Sequence, residues 1–256
     1  MKKLTVILLS VFFGACSPNQ ASQLAEIQKL EQSASVSTRE GLNKLAQLHK
    51  EYGLRYIDST ANNYLYAAGQ HYFFERDTQT AITLLSEYIS RDDSSNRYRN
   101  ATVNLALLYA KNNNYTTSVS LINALIDNTL PTPAQWQDII KLYEQIITDT
   151  SITTNPKDYE TLSMAYTAVG RFIEATQTLD TAIEKFPTYQ NRNNLIYRAG
   201  FIAWEYMADI PIAKNFYTQF LAEYPDDEKA GDVHQILNSG MLEMSDEDIL
   251  TMLKGQ

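Results

Sequence analysis

The side chains that could perform chemistry are three histidines, one cysteine and two pairs of neighbouring acidic residues. His49, His71 and His234 lie far apart in the sequence, and none has a cysteine or a second histidine at metal-ligand spacing. The pairs Asp92-Asp93 and Asp226-Asp227 fall between predicted helices, where aspartate ordinarily caps a helix. The chain holds no His-Glu-x-x-His, no phosphate-binding loop and no Gly-x-Ser-x-Gly. It therefore predicts no catalytic residue, no metal site and no cofactor.

Cys16, the only cysteine among 256 residues, follows an N-terminal apolar run. Two lysines precede ten residues from Leu4 to Phe13, which is too short to span a bilayer and typical of a secretory signal. The ending Phe-Gly-Ala-Cys at 13–16 resembles the lipobox of bacterial lipoproteins, with phenylalanine where leucine is usual. The resemblance implies a signal peptide at 1–15, an acylated Cys16 and a lipidated tether at 16–22. The alternative is ordinary signal cleavage that leaves a free thiol.

Four segments share one helical spacing of packing residues, at offsets 0, 3, 4 and 7. The four sets are Tyr159-Leu162-Ser163-Tyr166, Leu65-Ala68-Gly69-Tyr72, Thr102-Leu105-Ala106-Tyr109 and Tyr197-Gly200-Phe201-Trp204. Nine residues after each final aromatic comes a small residue, namely Ala81, Ser118, Ala175 or Ala213. A small residue there lets a second helix approach the first closely, and the aromatic ring fills the gap above it. We therefore expect Tyr166 to be a core residue.

This pattern resembles the tetratricopeptide repeat, a helix-turn-helix unit that stacks on copies of itself. The resemblance implies an all-α, right-handed superhelical solenoid of tetratricopeptide-like helix pairs with capping helices. We place the repeat domain at 23–256, with units near 62–95, 99–132, 156–189 and 194–227. Helices near 21–32 and 38–52 are expected to cover its N-terminal end, and 228–256 its C-terminal end, where Ser245 is a suitable N-cap.

An extra amphipathic helix is predicted at 133–148, followed by a polar linker at 149–155. Because this insertion lengthens the spacing between the second and third units, we expect it either to bend the superhelix or to split it into two halves. It is the internal boundary that the sequence suggests. The C-terminal segment from 222 to 255 is similar to the end of tetratricopeptide lipoproteins found in Bacteroidetes.

The formal net charge of −9 argues against nucleic-acid binding, which requires a basic surface. In the repeat family, ligands meet residues of the first helices that point away from the packing stripe. Carried onto this chain, the predicted groove residues are Tyr66, Gln70, Phe73, Val103, Asn104, Leu107, Lys111, Arg198, Ile202 and Tyr206. Such a groove suits an extended or helical peptide. The alternative is that these residues pack against the terminal helices.

The resemblance thus implies a non-enzymatic, membrane-anchored scaffold or adaptor for protein partners in the bacterial cell envelope. Its expected location is the outer membrane, facing the periplasm, with Cys16 as the membrane contact. Assistance to outer-membrane protein assembly is one role that tetratricopeptide lipoproteins have. The alternative function is a carbohydrate-binding or cell-wall-modifying lipoprotein, which predicts a buried glutamate in a cleft, with Glu144 and Glu205 as candidates.

Overall fold

The structure of the protein is a computed structural model that describes residues 19–91, 95–244 and 246–254. Within these ranges every regular element is helical, as the sequence predicted. None of the described helices is long and apolar enough to cross a bilayer. The signal segment, Cys16, Asp92-Asp93 and Ser245 lie outside the described residues. The chain forms two compact units that divide between residues 93 and 94.

In the first unit, four helices follow one another and each packs on the next. They are α1 Gln20–Glu31, α2 Arg39–Arg55, α3 Ser59–Phe74 and α4 Thr78–Arg91, with a 3-10 turn at Ala34–Ser37. The starts of α1, α2 and α3 are capped by the side chains of Asn19, Thr38 and Asp58. The guanidinium of Arg91 donates to the carbonyls of Gly53 and Tyr56, both at 3.0 Å, and so joins the end of α4 to the end of α2.

The second unit contains the remaining described helices. They are α5 Asn96–Lys111, α6 Tyr115–Asn128, α7 Pro133–Thr148, α8 Pro156–Ala168, α9 Phe172–Lys185, α10 Arg192–Glu205, α11 Ile210–Glu223, α12 Ala230–Asn238 and α13 Asp246–Lys254, with a 3-10 turn at Met241–Glu243. Helices α7 and α8 both begin with a proline that follows a reciprocal capping box. Side chains from α5 to the 3-10 turn share one hydrophobic core.

The extra helix α7 is part of that core. Its apolar residues Trp136, Ile139, Ile140, Leu142, Tyr143 and Ile146 are all buried, and α7 packs on α8 and also on α5. The boundary that we predicted at 133–155 is therefore wrong, and the division of the chain falls between 93 and 94. A longer connection in the sequence marked an additional helix, not a break in the packing.

The packing stripe of the first three repeat units lies where the spacing placed it. In α8, Tyr159, Leu162, Ser163 and Tyr166 are all buried, as are most of the equivalent residues of α3 and α5. The small residues Ala81, Ser118 and Ala175 are completely buried at the starts of α4, α6 and α9. The hydroxyl of Ser118 donates to the carbonyl of Ala106 at 2.8 Å, so that a polar residue is tolerated at this close contact.

Each repeat unit turns from its first helix to its second through one residue in the left-handed region. These residues are Arg76 (φ 64°), Asn113 (φ 59°), Gly170 (φ 78°) and Ala208 (φ 50°). In the first three units the left-handed residue lies four positions after the last stripe residue. The residue that follows donates its backbone N–H to the carbonyl of Tyr72, Tyr109 or Tyr166, at 3.0, 2.8 and 2.9 Å respectively. A left-handed residue with such a bond is a common helix C-terminus, and it favours glycine.

In the fourth repeat unit, each residue of the packing stripe lies one position earlier in the sequence than we predicted. Phe201, assigned to the stripe, is 36% exposed, whereas Ile196, Ala199 and Ala203 are completely buried. Gly200 then takes the position at offset 4 of the stripe, where the Cβ of any other residue would lie 2.9 Å from Cε1 of Tyr217. The turn after α10 is correspondingly one residue longer, because the backbone N–H of Asp209 bonds to the carbonyl of Ala203.

Candidate interaction surface

The predicted groove residues of the first repeat unit lie on α3 and are half-buried. The ring of Tyr66 packs 5.2 Å from that of Tyr88, and the ring of Phe73 lies edge-on to Phe74 at 5.5 Å. Gln70 is also half-buried. These three residues belong to a different compact unit from the other predicted groove residues.

On α5, the prediction is partly wrong. Val103 is only 2% exposed and belongs to the hydrophobic core, so it is not available to a ligand. Asn104 and Leu107 are half-buried, and Lys111 is exposed. Leu107 and Lys111 line a cleft of about 330 Å³ together with Leu142 and other residues of α7. The helix that packs beside α5 on this side is thus the extra helix, α7.

On α10, the one-residue shift changes which side chains face outward. Ile202 is 3% exposed and lies in the core, so its assignment to a groove is wrong. Arg198 is half-buried, and burial lowers the pKa of its guanidinium, an effect that the nearby carboxylate of Glu160 opposes. Tyr206 is exposed, as predicted, and so is Phe201, although the repeat spacing predicts it in the packing stripe.

Four apolar side chains, three of them exposed and one half-buried, lie near the turns after α8 and α10 and form what we call the aromatic patch. It consists of Phe172, Ile173, Phe201 and Tyr206. The rings of Phe172 and Tyr206 are stacked, with centroids 4.7 Å apart and planes at 9°, and Phe201 meets Tyr206 edge-on at 6.0 Å. Phe172, Ile173 and Tyr206 line a cleft of about 490 Å³.

Charged side chains border this cleft. The guanidinium of Arg171 donates to Glu174 at 2.8 Å, lies 3.5 Å from Glu144 and sits over the ring of Tyr166 at 4.4 Å. Its hydrogen bond holds the pKa of the Glu174 carboxyl below the usual value. Asp209 also lines the cleft, and its side chain accepts the backbone N–H of Ile212 at the start of α11. The cleft is thus lined by one guanidinium and two carboxylates, those of Glu174 and Asp209, and the guanidinium is also paired with Glu144, which makes this border acidic.

Neither glutamate that we considered for catalysis is the buried acid that a glycan-cleaving site requires. Glu144 accepts a hydrogen bond from the Tyr166 hydroxyl at 2.6 Å, and its side chain is 41% exposed. Burial, together with this bond to Glu144, raises the pKa of Tyr166 to about 12. Glu205 is exposed. Both carboxylates thus lie at the surface of the molecule.

The other candidate residues make structural contacts. His49 is buried, its ring stacks on Tyr64 at 4.3 Å, and its Nε2 lies 3.2 Å from a carboxylate oxygen of Glu31. Nε2 of His71 lies 2.9 Å from Oδ1 of Asn43. Asp227 accepts the backbone N–H of Lys229 at 2.9 Å, which together with a bond from Asn193 lowers the pKa of its carboxyl. This aspartate lies in the turn before α12, as the sequence predicted, but it does not cap that helix, whose N-cap residue is Lys229.

The helix pairs define the class of the protein. It is an all-α protein in which most neighbouring helices of each compact unit pack side by side. Comparison of the chain with protein-family models gave no match, and comparison with curated proteins gave none either. Among solved structures, it is similar to a crystal structure of kinesin light chain TPR-like repeats from Podosopora anserina. That match has 15% identity and a TM-score of 0.31 and covers 79% of this chain and 92% of that chain. So distant a likeness says nothing of function.

Proposed function

We propose that the protein is a scaffold for protein partners in the bacterial cell envelope, anchored to the membrane through Cys16. The observation that carries the interaction role is the aromatic patch. The exposed ring of Tyr206 stacks on the half-buried ring of Phe172, beside the exposed side chains of Phe201 and Ile173. Such a group of apolar side chains is unusual on a solvated surface and commonly marks a contact site. The anchor and the outer-membrane location are supported by the N-terminal sequence pattern alone.

The chemistry of the cleft indicates the kind of partner. Two carboxylates, those of Glu174 and Asp209, line the cleft with the single guanidinium of Arg171, which is also paired with Glu144 outside the lining. The chain as a whole carries a net charge of −9. A complementary segment would therefore present an apolar side chain flanked by lysine or arginine. We propose a peptide segment of that composition, in an extended or helical conformation, as the ligand of the aromatic patch.

The test is crosslinking and mass spectrometry on native envelopes with four forms of the protein. These are the wild type, Cys16→Ala, Ile173→Ser in the patch, and Leu130→Ser as the matched control. Leu130 is 77% exposed in the same compact unit and does not line the cleft, so its replacement makes the same kind of surface change. The proposal expects crosslinks from the patch to a partner segment with basic and apolar residues. They should be retained in Leu130→Ser and lost in Ile173→Ser.

The composition of the partner is tested with two synthetic peptides. Both have the same apolar residues, one with lysine flanks and the other with glutamate flanks. We expect the purified wild type to bind the lysine-flanked peptide, more weakly at higher salt because the attraction is screened. Equal binding of the two peptides, or binding unaffected by Ile173→Ser, would overturn the proposed chemistry.

The anchor is tested by cell fractionation. Cys16→Ala should move the protein from the membrane to the soluble fraction, since acyl chains supply the membrane affinity. Retention on the membrane would contradict lipidation as the anchor. If the patch crosslinks only to peptidoglycan or polysaccharide fragments, the carbohydrate-binding alternative replaces the scaffold proposal.

A further inference from the structure

The end of α2 and the short turn to α3 carry apolar side chains that the packing of the first unit does not use. Ile57 is 86% exposed, the largest value among the large apolar residues of the described ranges, and Leu54 is 46% exposed. Arg55, which lies between them, is also exposed. We call residues 54–57 the α2–α3 corner. Single exposed apolar residues are common on proteins, so the place of this pair in the molecule decides what it indicates.

Hydrogen bonds fix the backbone of the corner. Arg91, at the end of α4, donates to the carbonyl of Gly53 on one side and to the carbonyl of Tyr56 on the other, both at 3.0 Å. The ring of Tyr56 packs against that of Tyr52, with centroids 4.7 Å apart. The exposure of Leu54 and Ile57 is therefore a property of the folded unit and not of a loose loop.

The start of α1 lies beside this corner. The side-chain amide of Gln20 donates to the hydroxyl of Tyr52 at 2.9 Å and to Oδ2 of Asp58, the residue after Ile57, at 2.6 Å. Cys16 precedes Gln20 by four residues, which span at most about 14 Å when fully extended. A lipid attached to Cys16 would therefore hold the corner close to the membrane surface.

The charge of the first unit is compatible with a close approach to lipid. Residues 19–91 include eight acidic and seven basic side chains, whereas residues 95–254 include twenty acidic and twelve basic ones. A membrane with anionic headgroups attracts lysine and arginine and repels carboxylates. The unit next to the anchor is thus the one whose charges nearly balance, and Arg55 places a positive charge in the corner itself.

We propose that the α2–α3 corner is a second membrane contact. Leu54 and Ile57 enter the boundary between headgroups and acyl chains, Arg55 faces the lipid phosphates, and Tyr56 is of a residue type enriched at this depth. The proposal rests on the lipid anchor proposed above and adds an orientation of the first unit on the membrane. Two apolar side chains bind lipid weakly by themselves, but the anchor keeps them at a high local concentration next to it.

The test places a fluorescent probe on the corner. Cys16 is the only cysteine of the chain, and its thiol is acylated in the proposed anchor, so Ile57→Cys supplies one free thiol for an environment-sensitive dye. The labelled, acylated full chain is reconstituted into vesicles of phosphatidylethanolamine and phosphatidylglycerol, with and without lipids that carry a nitroxide on the acyl chain. The matched control is Phe74→Cys. Phe74 is 74% exposed in the same compact unit, at the other end of α3, whose 16 residues span about 24 Å.

We expect the emission of the probe at position 57 to shift to shorter wavelength on reconstitution, and the nitroxide lipids to remove most of its intensity. The probe at position 74 should keep its aqueous emission and lose little intensity. Leu54→Cys, labelled in the same way, should behave like Ile57→Cys. Equal quenching at 57 and 74, or no quenching at 57 in protein that floats with the vesicles, would overturn the membrane contact and leave the anchor intact.

The wild type separates a failure of the contact from a failure of the anchor. With its thiol acylated, it should take up no dye and should float with the vesicles. Uptake of dye, or recovery of the wild type away from the vesicles, would contradict the anchor and the contact together. Both replaced side chains are mostly exposed, so the variants should keep the fold of the wild type, which circular dichroism melting curves verify.

Discussion

The contribution of Tyr166 to stability tests the packing scheme most directly. Its ring is 6% exposed at the end of the α8 stripe, and its hydroxyl donates to Glu144 at 2.6 Å. The guanidinium of Arg171 lies over the ring. Two substitutions separate these contributions, because Tyr166→Phe removes the hydroxyl alone and Tyr166→Ala removes the ring as well.

The expected magnitudes follow from these contacts. Truncation of a buried aromatic residue to alanine costs about 3–5 kcal/mol. The hydrogen bond contributes less, about 1 kcal/mol, because Glu144 is 41% exposed and water can replace the tyrosine as its donor. Tyr166→Phe should therefore cost about 1 kcal/mol, and the remaining loss in Tyr166→Ala reports the ring and its contact with Arg171.

Equilibrium denaturation followed by tryptophan fluorescence is the suitable assay. The two tryptophans of the chain, Trp136 and Trp204, both belong to the second compact unit, so the signal reports that unit. Leu130→Ser is the surface control and should change the free energy of unfolding by less than about 0.5 kcal/mol. If Tyr166→Ala costs less than about 1 kcal/mol, or no more than Tyr166→Phe, the assignment of this ring to the core is refuted.

Two further predictions concern a turn and a buried histidine. Ala208 has a φ of 50°, so Ala208→Gly should relieve backbone strain and raise the free energy of unfolding by about 0.5–1 kcal/mol. Gly170 also has a positive φ, so Gly170→Ala should lower the free energy of unfolding by a similar amount. Chemical denaturation of the two variants measures both changes. Burial lowers the pKa of His49, although Glu31 opposes the effect, so the unfolded chain binds more protons near that pKa. The contribution of neutral His49 to the free energy of unfolding should be fully present above about pH 6.5, and it should fall as the pH is lowered below that value. Circular dichroism melting curves should show a smaller pH dependence in His49→Gln, and an unchanged dependence would contradict this assignment.

The periodic features of the chain were predictable from the sequence because each depends on neighbours within one helix pair. The stripe of α8 and the small residues that begin α4, α6 and α9 are examples. The fourth unit was misplaced because an aromatic residue, Trp204, was aligned with Tyr166. Alignment of Gly200 with the small residue Ser163 would have given the observed packing, since only a small side chain fits against Tyr217.

The candidate surface was less predictable. Val103 was assigned to a groove on the pattern of α5 alone, but a residue's exposure also depends on which helix packs beside it, here α7. The aromatic patch arises from Phe172 and Tyr206, which are 34 residues apart and lie at the turns of neighbouring units. Their stacking depends on how these units pack.

The packing of each helix on its neighbours in sequence has a consequence for the speed of folding. Helices such as α8, α9, α10 and α11 find their main partners within a few tens of residues, so the loops that must close are short. A chain that emerges gradually, from the ribosome or through a translocation channel, can therefore assemble one pair at a time. Each new pair adds to a structure already present, without waiting for the C-terminus to arrive.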